Sequence, residues 1–87
     1  MSDSFERQSQ IVDELIRHWE SLLPFLKTPD RAQFLLWLRL NRGDMNVVLH
    51  GLVQTAKKAR VFGSMDFDRA LRYASGCMRN ESRERAA

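Results

Sequence analysis

The residues able to do chemistry in this 87-residue chain are scattered rather than gathered. Metal binding needs two or more His, Cys or acidic ligands converging at a characteristic spacing, and His18, His50 and Cys77 each stand alone in their neighbourhoods. His18 lies among charged residues and reads as a surface histidine. Cys77 falls on an apolar helical face, where a thiol behaves as a small hydrophobe; a nucleophile needs an exposed, electropositive setting. Asp13 and Glu14 are adjacent, hence about 100° apart on a helix, which suits no coupled acid and base pair. A phosphate-cradling loop of the strand-loop-helix kind needs clustered glycines after a strand, and neither is present. These observations predict no catalytic residue, no metal and no cofactor: a non-enzymatic protein.

What the sequence does concentrate is positive charge. The net charge is +3, yet residues 1–44 hold six Lys or Arg against seven Asp or Glu, while residues 45–87 hold eight against four. Arg69, Arg72, Arg79 and Arg83 recur at helical spacing opposite an apolar face, and Lys57, Lys58 and Arg60 form a second cluster just upstream. Arginine's planar fork matches phosphate oxygens, and neutralising several phosphates releases counterions, so these seven residues are the candidate nucleic-acid-binding set. The plain alternative is a solvated surface that keeps a small domain soluble. Asp66 and Asp68 reduce the local excess, and Tyr73, beside the stripe, reads as a boundary packing residue.

The elements that must position these groups are helical. At 44% hydrophobic and 29% charged, the composition is that of one folded domain, and a single cysteine leaves its core to packing alone. The first helix is predicted from an Asp3 cap, with Glu6 three residues on, to Leu23 before Pro24; its apolar side carries Phe5, Val12, Leu15, Ile16, Trp19 and Leu22. Thr28 as cap and Pro29 as first helical residue open a second helix to about Asn41, apolar in nearly every direction and therefore central. Asp44 caps a third from Met45 to about Arg60, stopped by Gly63. A fourth runs from Phe67 to about Asn80, and residues 81–87 are predicted to fray. The prolines and glycines are read as helix punctuation, and Trp19, Trp37, Phe25 and Phe34 as core. The fold class is all-α: a four-helix bundle with a hydrophobic central second helix, one domain over residues 1–80.

A second use of the surface is as a protein interface. Val47 falls off the inward stripe of the third helix, and Val61 with Phe62 stands at its end, so the three form a candidate apolar patch for a protein partner or a second copy. The longest apolar runs are four residues, too short to span a bilayer. The opening MSDSFERQSQ has neither the basic start nor the apolar stretch of a secretory signal, so a cytoplasmic setting is expected.

The order of features from Leu22 to Asn80 adds a resemblance. Pro29-Asp30-Arg31-Ala32-Gln33-Phe34-Leu35-Leu36-Trp37-Leu38 is followed by Asp44 with Val47, Val48, Leu52 and Ala56, then by Tyr73 before a final helical segment. This order resembles the C-terminal helical module of DnaD-type replication initiation and primosomal proteins. The resemblance implies a part in primosome assembly and DNA contact through basic residues toward the C-terminal helix and tail. The family's Tyr-x-x-x-Ile-x-x-x-Trp ending reads Tyr73-x-x-x-Cys77-x-x-x-Glu81 here.

Overall fold

A computed structural model describes residues 2–86, with side chains from Phe5 to Arg85. Four helices follow one another: α1 (Ser2–Leu22), α2 (Arg31–Leu40), α3 (Met45–Phe62) and α4 (Phe67–Ala86). They pack as an all-α bundle around one contiguous core, with no strand among the described residues.

The local signals explain most of the boundaries. α1 stops where expected: the Leu23 N–H still donates to the Trp19 carbonyl at 2.7 Å, and Pro24 cannot continue the ladder. Its start, Ser2, is two residues earlier than an Asp3 cap predicts, so Asp3 lies inside the helix rather than at its cap. α2 also departs from expectation. Asp30, not Thr28, is the cap, its carboxylate accepting the Gln33 N–H at 3.0 Å. An ionised acceptor is the better match for the positive helix end, and Pro29 is left outside the helix as a buried packing residue. α3 begins on Asp44, which accepts from the Asn46 N–H, and ends on Gly63 in the left-handed conformation, both as the sequence indicates.

Between α2 and α3 the chain reverses through a Schellman turn. Gly43 N–H donates to the Leu38 carbonyl at 2.6 Å and Arg42 N–H to that of Arg39 at 3.4 Å. The position that most favours glycine in this turn is held by Arg42, at φ 60°, with Gly43 following at φ 73°.

The core is aromatic at its centre. Trp19 of α1 stacks on Trp37 of α2 with ring centroids 6.4 Å apart, Phe34 meets Trp37 edge-on at 5.5 Å, and Phe67 of α4 meets Trp19 edge-on at 6.3 Å. Trp19, Trp37 and Phe34 are fully buried, each contributing about 1.5–3 kcal/mol by leaving water. Both indoles are satisfied: Trp19 Nε1 donates to the Lys27 carbonyl and Trp37 Nε1 to Ser75 Oγ. α2 thus supplies the aromatic centre, but it is not enclosed all round. Leu36 and Leu40 are exposed, and α3 is the helix that packs against all three others. Phe5 and Phe25 are likewise exposed rather than core.

The α3–α4 seam is the most extensive in the bundle and is close at Gly51. A Cβ on Gly51 would lie 2.5 Å from Met78 Cγ and 2.8 Å from the Ala74 carbonyl oxygen, so only glycine permits this approach. Gly51 and Gly76 therefore sit inside helices, contrary to their reading as punctuation. α4 also continues past Asn80 to Ala86. Its last turns are tied back: Arg85 pairs with Glu81 one turn earlier and with Asp44 at the start of α3.

Candidate nucleic-acid interface

α4 owes its position to its apolar face. Asp66 caps it, accepting the Arg69 N–H at 2.7 Å, and Ala70, Ala74 and Met78 are buried against the rest of the bundle. At about 100° and 1.5 Å per residue, Arg69, Arg72, Arg79 and Arg83 then fall within roughly 80° of one another on the opposite side, along about 21 Å of helix. All four are exposed.

The arginines line two hollows. Arg69 and Arg72 share one with Asp66 and Tyr73. Arg79 and Arg83 share another, of about 260 Å³, with Trp37, Leu40, Asn41, Ser75 and Ser82, where α4 passes α2. Lys58 joins the first group from α3: its Nζ lies 4.7 Å from the centre of the Phe62 ring and 5.9 Å from that of Tyr73. Lys57 and Arg60 are exposed on α3 and line neither hollow. The structure thus places Lys58 next to Tyr73, which shares a hollow with Arg69 and Arg72. On the helical wheel Lys57 and Arg60 turn about 120° and 180° away from Gly51, the residue that faces α4, so the two basic clusters do not form one continuous face.

Neutralisation by neighbouring acids is the obvious objection to a cationic face. Among the described residues the ion pairs join Arg31 to Asp13, Arg85 to Asp44 and Glu81, and His50 to Glu81; none of them takes any of these seven cations. Asp66, set against the arginines in the sequence, spends one carboxylate oxygen on capping α4. Tyr73, the aromatic residue within this face, has its phenol pKa raised, first by partial burial and then by Cys77, through charge and a hydrogen bond. The Arg85 pKa is raised as well, chiefly by its hydrogen bond to Glu81.

Cys77 is half-buried rather than buried, in a hollow with His50, Gln54, Asn80, Glu81 and Glu84. His50 Nε2 stands 3.6 Å from Glu81 Oε2, close enough to pair when the imidazole is protonated. No group of three or more His, Cys, Asp or Glu among the described residues could hold a metal ion. No described helix is long and apolar enough to cross a membrane.

Comparison of the chain with protein-family models, curated proteins and solved structures finds no match.

The apolar patch changes membership. Val47 is 2% exposed and cannot serve as an interface residue; it lines a hollow with Ser82 and Arg85 of the continued α4 and with Asn41 and Asp44 of the preceding turn. Val61 and Phe62 are exposed at 78% and 60%, with Lys58 over the Phe62 ring. Leu40, at 68%, is an exposed apolar residue that the helical wheel conceals: α2 is apolar in so many directions that its free side cannot be picked out.

Proposed function

We propose that this protein is a non-enzymatic helical module that binds the phosphate backbone of nucleic acid, in replication or its regulation, through the outer face of α4. Arg69, Arg72, Arg79 and Arg83 contact phosphates, and Lys58 strengthens the field from α3, whereas Lys57 and Arg60 lie off this face. The observation that carries this reading is the run of four exposed arginines along one side of α4, none of them paired with a carboxylate among the described residues. The resemblance to DnaD-type C-terminal modules points the same way. Contacts of this kind fix position along a backbone and carry little base sequence information, so binding is largely non-specific.

Fluorescence anisotropy with labelled single-stranded and duplex oligonucleotides at low salt tests it. Association with wild type and its loss in the Arg72→Glu/Arg79→Glu double variant, with helicity retained, is the expected result. An unaltered anisotropy over the whole wild-type titration would end the reading.

Exposed Val61 and Phe62 favour a second reading, in which a protein partner or a second copy covers the end of α3. Light scattering after size exclusion decides the self-association form: a strict monomer at high concentration excludes it.

A further inference from the structure

The two glycines inside helices differ in what surrounds them. Gly51 has a packing reason, since Met78 and Ala74 occupy the space a side chain would need. Gly76 has none: a Cβ built there meets nothing within 4 Å. Glycine weakens a helix interior relative to alanine, and here no neighbour within the chain gains from its small size. Its place on α4 is distinctive. Gly76 lies on the same outer arc as the arginines, four residues after Arg72 and three before Arg79, so about one helical turn separates it from a guanidinium on either side. The result is a notch in the row of side chains on α4, at a partly exposed stretch of backbone, with Arg72 and Tyr73 one turn before it and Arg79 and Asn80 one turn after it.

We infer that Gly76 is a ligand-contact position at which a phosphodiester strand crosses α4, its phosphates held by Arg72 and Arg79. Missing side chains let another backbone approach closely, and the flanking positive charge selects a polyanion over a second copy of α4, whose own arginines would be repelled. Closer approach shortens the guanidinium–phosphate contacts at both rims, which strengthens each of them. This inference rests on the nucleic-acid reading above and adds the contact geometry to it.

The test compares wild type with Gly76→Ala and Gly76→Leu, neutral changes that leave every cation in place. Both are measured by anisotropy on the same labelled 20-mer oligonucleotides at fixed low salt, with helicity and thermal midpoint recorded alongside. The expected result is a split between stability and affinity: Gly76→Ala melts higher than wild type yet binds about threefold or more weakly, and Gly76→Leu binds about tenfold or more weakly while remaining folded. Wild-type affinity in both variants overturns the notch while leaving the arginine stripe in force. An absence of wild-type binding overturns the nucleic-acid reading itself, and the notch with it.

Discussion

Trp37 and Ser75 join α2 to α4 through one hydrogen bond: the buried indole Nε1 donates to Ser75 Oγ at 2.8 Å, and the Ser75 hydroxyl in turn donates to the Leu71 carbonyl at 2.8 Å. The bond sits at the inner edge of the hollow that Arg79 and Arg83 rim, so it couples the aromatic core to the orientation of the cationic helix. Ser75→Ala strands a buried donor, and the expected cost is about 1–3 kcal/mol. Urea unfolding followed by tryptophan fluorescence measures it; a loss below about 0.5 kcal/mol would mean that the bond does not hold the two helices together.

Gly51→Ala drives a methyl group into Met78 and the Ala74 carbonyl, where backbone cannot yield cheaply. Overpacking of this kind costs about 1–3 kcal/mol, against the gain alanine brings to a helix interior. Chemical denaturation is expected to show a net loss. Unchanged or increased stability would mean that α3 and α4 do not approach this closely.

Arg42→Gly should do the reverse. A non-glycine residue in the left-handed region costs about 1–2 kcal/mol, and Arg42 occupies that region at φ 60° without a charged partner among the described residues. Glycine relieves the strain but frees the unfolded chain, so a net gain of up to about 1 kcal/mol is expected. A fall in the melting midpoint contradicts it.

The single tyrosine offers a titration that needs no assignment. Burial and Cys77 favour the neutral phenol of Tyr73, so its folded pKa stands above its unfolded one. Between those two values the folded state binds more protons than the unfolded state, so stability falls as pH rises. The contribution is complete below the ordinary tyrosine value near 10 and is lost as pH climbs through the folded value. Phenolate absorbance should therefore appear at higher pH in the folded protein than in denaturant. Coincident curves would contradict the placement of Tyr73 against Cys77.

Much of this fold is written locally. Asp44 and Gly63 bracket α3 because a carboxylate cap and a left-handed stop act over three or four residues, within reach of a sequence pattern. Failures came where a partner far along the chain decides. Val47 looks free on a wheel but is buried, lining a hollow with the turn before α3 and the last turns of α4; the latter persist through Arg85 contacts with Asp44, 41 residues away. Gly51 likewise acquires its meaning only from Met78. The arginine stripe was legible because it lies on one helix; Lys58 reaching Tyr73 across the seam, and the hollow that Arg79 and Arg83 share with Leu40, depend on how helices meet.

The most direct measurement of the central claim is the salt dependence of oligonucleotide binding, taken as the slope of log affinity against log salt concentration. Four phosphate contacts from α4 predict a wild-type slope of about −3 to −4, and replacing Arg72 and Arg79 with alanine should make it shallower by about two. A slope near zero, or one that the double replacement leaves unaltered, would contradict the account: phosphates would then not be what the face of α4 holds.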